Sequence, residues 1–289
     1  MPKLTRRELL VRGSQLAAGA AVGAVALESL SGWQNPPTTP TPGSSATPGS
    51  SPTPGPSLTS VPPTPTPDPT GWPWRYMKLD PQVVAQKAYD SFYVGGCMFG
   101  AFNAIIVALR ESYGPPYNMI PTMMTRYGEG GGVGWATLCG TLNGSGLAMN
   151  LFTKDYSTLV NGLFYWYTKS AFPMFKPATP KVEISATSVS DSPLCHVSVS
   201  MWCTAANAKS ESPERAERCA RLTADVAAHA VQIMNDYTDG TFKATYVVNQ
   251  SVQSCGVCHL KGGAIENARG KLDCVQCHTE PSLPSSHPK

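Results

Sequence analysis

Two short motifs near the C-terminus combine the residue types that attach a haem covalently. They read CGVCH at residues 255–259 and CVQCH at residues 274–278, with fourteen residues between them. Two thiols two residues apart can add across the two vinyl groups of one porphyrin, and the adjoining histidine then binds the iron as its proximal ligand. The motifs therefore predict two haem c groups. The predicted attachment residues are Cys255, Cys258, Cys274 and Cys277, and the predicted proximal ligands are His259 and His278.

A structural zinc ion is the alternative interpretation of the four motif cysteines. Their spacing, C-x2-C-x15-C-x2-C, also occurs in zinc sites. Against zinc, a histidine follows both CxxC pairs although the chain has only five histidines in 289 residues. The N-terminal export signal argues the same way, because a bare tetrathiolate outside the cytoplasm is open to oxidation to disulfides. The haem interpretation is therefore favoured.

The second axial ligand of each haem must come from elsewhere in the protein, since six-coordinate haem iron needs two. His196 and His229 are the first candidates for metal ligands, and His287, in a Ser/Pro-rich tail, is the third. His196 could also be an ordinary surface histidine, and His229 a partly buried helix residue. Bis-histidine ligation would use two of the three, or a methionine in place of one. The choice among them stays open.

Residues 1–26 have the layout of a twin-arginine-type signal peptide. Basic residues that include the pair Arg6 and Arg7 precede an Ala/Gly-rich apolar run, and small residues at 24–26 offer a cleavage site. Cleavage would remove four of 22 Lys+Arg and one of 19 Asp+Glu, which leaves a formally neutral chain. We therefore expect an exported, periplasmic or extracytoplasmic protein that binds no nucleic acid. No membrane span is predicted in the mature chain.

The elements that must position the motifs form a mainly α fold with minor β. Residues 27–71 are a Pro/Thr/Ser-rich linker, either a stalk or a passive spacer, and cannot bury a core. Residues 72–250 are predicted to be a mainly helical, cysteine-containing domain, and 251–289 a short irregular di-haem segment without apolar periodicity. The helices are predicted at about 80–92, 97–112, 134–152, 156–171 and 213–235, with irregular or short strand structure at 181–206 and a strand at 241–248.

The cysteines of the helical domain resemble a known pattern. GCMFGA at 96–101, the glycine-rich stretch 130–134 and the later cysteines resemble the split-Soret cytochromes c, whose body belongs to a redox family with a C, GCAxxG, C and C pattern. The resemblance covers roughly residues 79–278, and Met98 stands where that family usually has alanine. It implies a homodimer whose haems lie close together at one end, with one axial histidine supplied by the partner subunit. Fourteen residues between the motifs neither require nor exclude that geometry.

Five cysteines lie outside the haem motifs, and their state decides whether there is a further cofactor. In an exported protein they could form disulfides, with one cysteine left over, or stay free thiols. The twin-arginine signal favours a cofactor that is loaded before export, and c-type haem is attached after it. Four of the thiols match the family pattern and would suit an iron-sulfur cluster. These are Cys97, Cys139, Cys195 and Cys219, and Cys203 is extra.

An electron carrier is the function that these features predict. Irons with both axial positions filled can exchange electrons but cannot bind a substrate. No HExxH, GxSxG or phosphate-binding loop occurs in the sequence. The partners expected are redox proteins and a second copy of the chain. The alternatives are a small reductase with an open haem or cluster position and, more remotely, a redox sensor or structural protein that uses the free cysteines.

Overall fold

The computed structural model describes residues 71–278. The predicted signal peptide, nearly all of the linker, and the tail that contains His287 lie outside the described residues. The described chain contains six α-helices, three 3₁₀ turns and two isolated β-bridges, without a β-strand. The helices are α1 (Pro81–Tyr113), α2 (Gly140–Phe152), α3 (Tyr156–Lys169), α4 (Cys195–Ala206), α5 (Pro213–Thr238) and α6 (Gln250–His259), and the 3₁₀ turns are Tyr117–Met119, Thr122–Gly128 and Cys274–Gln276.

Helix α1 begins and breaks where the sequence predicts. The side chain of Asp80 accepts a hydrogen bond of 2.8 Å from the backbone N–H of Gln82, and proline occupies the first helical position. Gly95 and Gly96 leave helical geometry, which confirms two helical segments separated at this pair. Gly96 has φ of +78°, and a Cβ there would lie 2.7 Å from the side chain of Glu129. The break therefore needs glycine on both conformational and steric grounds.

Helix α1 is also long and apolar enough to cross a membrane, by length and composition alone. This differs from the expectation that nothing after the signal has those properties, because the two segments of α1 continue each other across the glycine break. About 67 % of its most apolar stretch is buried inside the fold, and a core helix of this kind passes the same test. The length of α1 is therefore weak evidence for a membrane span.

The core forms where α1 packs along α5 and α2, while α3 packs against α2 and α5. Helix α5 begins as predicted, since the side chain of Ser212 accepts from the backbone N–H of Arg215 and proline follows the cap. One apolar face of each helix supplies the core. Its fully buried members include Val84, Phe102, Ile105, Ile106, Leu109, Leu142, Met149, Leu159, Leu163, Leu222, Val226 and Val231.

Four boundaries differ from the prediction. The helix predicted at 134–152 begins only at Gly140, because residues 130–134 turn repeatedly with positive φ. Residues 195–206 form α4 although their alternating β-branched residues favoured a strand, so tertiary contacts override propensity here. Residues 241–248 form no strand. The segment predicted to be irregular starts with α6, whose cap is the side chain of Asn249.

Candidate functional site

Four cysteines from distant parts of the chain line one cavity of about 550 Å³ in the helical body. We call it the cysteine cavity, and its thiols come from Cys97, Cys139, Cys195 and Cys219, the four that were proposed as iron-sulfur ligands. The fifth, Cys203, lies on α4 outside the lining. None of the nine cysteines, all of which the structure describes, forms a disulfide. The fold thus brings together thiols that are up to 122 residues apart in sequence.

Close approach of α1 and α2 places the first two cysteines. Cys97 follows the glycine break of α1, and Cys139 caps the start of α2. A Cβ on Gly140 would lie 2.4 Å from the Sγ of Cys97 and 2.7 Å from the carbonyl oxygen of Gly128. No side chain fits into that space, so Gly140 is what allows the two cysteine-bearing segments to meet.

A short backbone ladder places Cys195 beside Cys139. The N–H of Cys139 donates to the carbonyl of Pro193 at 2.9 Å, and the N–H of Cys195 donates to the carbonyl of Thr137 at 2.7 Å. Between them, Leu138 and Leu194 pair in an antiparallel bridge. Because these two segments of the chain run side by side at this point, Cys139 and Cys195 enter the cavity from neighbouring positions.

Helix α5 supplies Cys219 and the positive charge of the site. Arg218, next to it, is 1 % exposed and lines the cavity. Its Nη1 donates to the Sγ of Cys219 at 3.8 Å, and its Nη2 donates to the Oγ of Ser198 at 2.7 Å. Its Nε has no hydrogen-bond acceptor among residues 71–278. A buried donor without an acceptor is costly, so this atom marks a place for an acceptor inside the cavity.

The electrostatics of the thiols indicate how the cavity could hold charge. Burial, and then the neighbouring Cys139, raises the pKa of Cys97 well above its ordinary value, and the same causes raise the pKa of Cys195 to about 12. The thiols are close enough to influence one another, and Cys97 and Cys195 resist ionisation. Several thiolates can coexist there only with compensating positive charge. Arg218 supplies one such charge, and iron would supply the remainder.

The donor set fits a bridged cluster better than a single ion. No three Cys, His, Asp or Glu side chains in the described range are gathered tightly enough to surround one metal ion. An iron-sulfur cluster is larger than one ion, and it contributes bridging sulfides that can accept hydrogen bonds. The spread of the four thiols around one cavity and the orphaned Nε of Arg218 are both compatible with such an occupant.

The second part of the site is residues 250–278, which contain both CxxCH motifs and which we call the haem-attachment segment after its predicted role. CGVCH lies at the end of α6, and CVQCH begins the last 3₁₀ turn. The Oγ of Ser251 donates to Asp273 at 2.6 Å and accepts from the N–H of Cys274 at 3.0 Å. The neighbouring thiol of Cys274 is one reason, after burial, why the pKa of Cys255 is raised. The two motifs therefore lie side by side, which their spacing alone left open.

The segment fits covalent haem attachment. The motif thiols are all partly or fully exposed, so vinyl groups can reach them. The Nδ1 of His259 is 2.7 Å from the Oδ1 of Asn267, and this contact orients the ring so that Nε2 would be the nitrogen for iron. The four motif thiols do not form a group that could hold a single ion among the described residues, so the geometry gives no support to the zinc alternative.

The segment docks on one side of the helical body. Gln276 donates to the carbonyl of Asp191 at 2.8 Å, and Lys271 donates to the side chain of Asn161 on α3 at 2.8 Å. Between the body and the stretches that flank the motifs is a second cavity of about 840 Å³. Leu138 and Leu194 line this second cavity, whereas the residue after each of them lines the cysteine cavity. The two cavities are thus separated by the Leu138–Leu194 bridge.

The candidate distal histidines lie on the body. His196 is exposed at the start of α4, five residues after Asp191, whose carbonyl accepts a hydrogen bond from the docked segment. His229 on α5 stacks on Trp166 with ring centroids 3.8 Å apart, and burial lowers its pKa to about 4. Trp166 and Asn161 are five residues apart on α3 and therefore point about 140° apart. The structure does not bring His229 to the docked segment of the same chain, and His287 lies outside the described residues.

Three residues of the cysteine cavity and its surroundings were missed in the sequence. These are Arg218, Ser198 and Tyr167, which form one hydrogen-bonded chain next to the thiols. One signal could have found Arg218, since it lies four residues before Leu222 on the apolar stripe of α5. A cation on a buried helix face needs a partner. Nothing in the sequence distinguishes Ser198 or Tyr167 from other helix residues.

Comparisons with known proteins agree with the fold of the helical body. The profile of a family described as "putative redox-active protein (C_GCAxxG_C_C)" matches residues 100–233. The split-Soret cytochrome c of Desulfovibrio desulfuricans is 43 % identical over 216 residues, which are 71 % of this chain and 77 % of that protein. A solved structure of split-Soret cytochrome c from D. desulfuricans ATCC 27774, described as containing a novel iron centre, matches with a TM-score of 0.68 and 41 % identity. The match covers 74 % of this chain and 95 % of that one.

These relationships show the class of protein to which this chain belongs. The body has the fold and the cysteine pattern of a redox-active protein. The chain belongs to the split-Soret cytochrome c family. Electron transfer is the function that this membership supports, and it agrees with the function predicted from the motifs.

Proposed function

We propose that the protein is an exported di-haem c-type cytochrome that passes electrons between an iron-sulfur cluster in the cysteine cavity and two haems on the C-terminal segment. The observation that carries this proposal is the Leu138–Leu194 bridge. Cys139 and Cys195 lie on one side of it and the docked segment on the other. A redox group on each side would be joined by a short path through the protein.

The residues of the chain have distinct roles in this scheme. The four motif cysteines hold the porphyrins by thioether bonds, and His259 and His278 serve as proximal ligands. Asn267 fixes the orientation of His259. The thiols of the cysteine cavity would hold the cluster, which supplies one-electron chemistry when it is bound. The iron centre described for the relative from D. desulfuricans supports an iron-containing cofactor here.

The location and the partners of the protein follow from the sequence features. The twin-arginine-type signal supports export to the periplasm or another extracytoplasmic space. The proposed partners are redox proteins and a second copy of the chain. A homodimer would allow a partner subunit to supply a distal histidine, because His229 is not near the docked segment of its own chain.

The distance of His229 from the motifs also gives a second candidate function. If no histidine completes one of the haems, its iron is open to a small ligand, and the protein would act as a reductase. Both haems have a distal ligand in the carrier, whereas one site is open in the reductase. The two functions therefore differ in a property that spectroscopy measures directly.

Ferric and ferrous visible spectra, with and without carbon monoxide, distinguish the two functions. The carrier predicts low-spin spectra that carbon monoxide does not change, whereas carbon monoxide binding to the wild-type protein supports the reductase. In the carrier, His196→Ala should convert one haem to a high-spin form that binds carbon monoxide. If both haems stay low-spin in this variant, His196 is not a ligand.

Anaerobic purification followed by iron and acid-labile sulfide analysis tests the cluster. The proposal predicts iron in excess of the haem iron, together with sulfide, and loss of both in Cys219→Ser. Cys203→Ser is the matched control, because Cys203 lies outside the cavity lining. Iron equal to the haem iron and no sulfide in the wild-type chain would rule out the cluster.

A further inference from the structure

Arg218 is a buried cation whose charge no carboxylate neutralises directly. Its side chain is 1 % exposed, and it forms no ion pair with any acidic residue in the described part of the chain. Burial of an unpaired charge costs several kcal/mol in general, so the fold must supply a compensating negative group. Arg218 lines the cysteine cavity, where its Nη1 contacts Cys219, and its Nε has no acceptor among the described residues.

Two buried acidic residues of α5 near Arg218, Glu217 and Asp225, have other hydrogen-bond partners. Glu217 is fully buried and binds the Nε of Arg221 at 2.7 Å and the hydroxyl of Tyr89 at 2.9 Å. Asp225 accepts the backbone N–H groups of Met174 at 2.8 Å and of Phe175 at 2.7 Å. Both carboxylates have other hydrogen-bond partners, so Asp225 acts on Arg218 only through space, and the cavity thiol of Cys219 is the potentially anionic group that Arg218 contacts directly.

Arg218 reaches two of the four cavity thiols, one directly and one through two hydroxyl groups. Its Nη1 contacts Cys219, and its Nη2 donates to the Oγ of Ser198. The Oγ of Ser198 also accepts a hydrogen bond of 2.8 Å from the hydroxyl of Tyr167, a fully buried side chain whose pKa is raised by burial and then by the neighbouring Cys139. Hydroxyl protons can rotate to suit their acceptors. Reversal of the Ser198–Tyr167 hydrogen bond, with Ser198 donating, would free the Tyr167 proton for Cys139 and direct every donor of this chain towards sulfur.

We propose that Arg218, with Ser198 and Tyr167, forms the positively charged support of the cysteine site and raises the reduction potential of the cluster held there. The inference rests on the proposed cluster. Reduction adds negative charge to the cluster, and a nearby buried cation stabilises that charge far more than a solvated one does. Hydrogen bonds to the sulfur ligands act in the same direction. Arg218 is thus a positioning residue that acts through the thiolates.

A redox titration of the full-length chain under anaerobic conditions tests the proposal. In Arg218→Met, the ratio of reduced to oxidised cluster at a fixed poise should fall at least tenfold, which is about 59 mV for a one-electron couple. Arg218→Lys keeps the charge and should recover most of the shift. The iron and sulfide contents should match those of the wild-type chain, which separates an effect on potential from loss of the cluster.

Arg215→Met is the matched control. Arg215 lines the same cavity from the same helix, but its side chain is more exposed and lies 3.6 Å from Glu211. Solvent and Glu211 already screen its charge. The ratio of reduced to oxidised cluster should change less than twofold in this variant. An equal shift in both variants would mean that general positive charge, and not the buried Arg218, sets the potential.

Tyr167→Phe tests the hydroxyl chain in a variant that preserves the packing of the ring. It should shift the ratio in the same direction as Arg218→Met, by two- to threefold. If Arg218→Met does not fold, Arg218→Lys and Tyr167→Phe carry the test, since both keep the shape of the site. An unchanged potential in folded Arg218→Met, or in Tyr167→Phe if Arg218→Met does not fold, with full iron and sulfide, would overturn the inference and leave the proposed cluster intact.

A wild-type chain with iron equal to the haem iron and with no sulfide would overturn both the proposed cluster and the inference that rests on it. The redox titrations separate the two failures, because they are interpreted only in chains with full iron and sulfide.

Discussion

The cysteine cavity and the haem-attachment segment place cysteines by opposite means. The cavity gathers four thiols from three helices and a loop, and three of its neighbours, Gly140, Ser198 and Arg218, are themselves packed inside the body. The segment places its four thiols within 23 residues, on one short helix and one 3₁₀ turn, with partly exposed side chains. The cavity depends on tertiary packing, whereas the segment depends on local spacing and, in the proposed function, on covalent attachment of the haems.

This difference predicts which substitutions should damage each region. A change that separates two packed elements should damage the cavity and the stability of the body together, because the same contacts serve both. A change in the segment should affect the haems and leave the body folded. The variants below test this contrast, from the largest expected effect on the free energy of unfolding to the smallest.

Gly140→Ala should give the largest loss of stability. The new Cβ would overlap the Sγ of Cys97 and the carbonyl of Gly128, so α1 and α2 must move apart, at about 3 kcal/mol. Urea unfolding measures the loss. Gly146→Ala on the same helix is the control, since its Cβ would lie 3.5 Å from Val160, an ordinary contact, and should leave stability unchanged or slightly raised. Similar losses in both variants would argue against the close approach at Gly140.

His229→Phe should change the response of the body to acid. Burial lowers the pKa of His229 to about 4, so the folded state binds fewer protons than the unfolded state between that value and about 6.5. Its contribution to stability is therefore present at pH 7 and is lost as the pH falls, by about 2 kcal/mol at pH 4.5. Phenylalanine keeps the stack on Trp166 without titrating, so the variant should lose less stability on acidification.

The pKa of Asp225 is shifted so that its contribution to stability changes with pH in the opposite direction to that of His229. Asp225→Asn is therefore the control for His229→Phe. Burial raises its pKa to about 6, so its contribution is present at low pH and is lost as the pH rises from about 4 to 6. Asp225→Asn should therefore become more sensitive to acid than the wild-type chain. Denaturant unfolding at pH 7 and pH 4.5 measures the loss of stability on acidification in both variants. A change in the haem spectrum of His229→Phe would instead show that His229 interacts with a haem. The helical body and the haem-attachment segment would then not be independent.

Gln276→Ala should have a small effect that is confined to the segment. It removes one exposed hydrogen bond of 2.8 Å to the carbonyl of Asp191, at about 1 kcal/mol or less. Amide hydrogen exchange should accelerate in α6 and the last 3₁₀ turn and stay unchanged in α1 and α5. Faster exchange in the body as well would show that docking of the segment stabilises the core.

Cys277→Ser should leave the free energy of unfolding of the body within about 0.5 kcal/mol of the wild-type value, because the thiol is exposed. It should nevertheless lower the stable haem content by about one haem per chain, since one thioether is lost. Mass spectrometry after acid denaturation measures the covalent stoichiometry. An unchanged stoichiometry would contradict the assignment of this motif, and a large loss of stability would contradict the independence of the two regions.

The sequence alone determined the features that depend on neighbouring residues. The CxxCH motifs are visible because attachment requires a fixed local spacing, and the starts of α1 and α5 are visible because a capping side chain and proline act within one turn. The break at Gly95 and Gly96 is visible for the same reason. The choice of four cavity cysteines came from the family resemblance, since their spacing carries no local signal.

Tertiary structure alone decided the features that depend on distant residues. The helix at 195–206 overrides a strand-like pattern because its residues pack against the body, and His229 stacks on Trp166 from another helix. The role of the buried Arg218 can be inferred only from the side chains around it, which are those of Cys219, Ser198 and Tyr167. Such arrangements rest on the burial of groups that are far apart in sequence, and electrostatic effects depend on burial and distance in space. Local patterns do not encode either quantity.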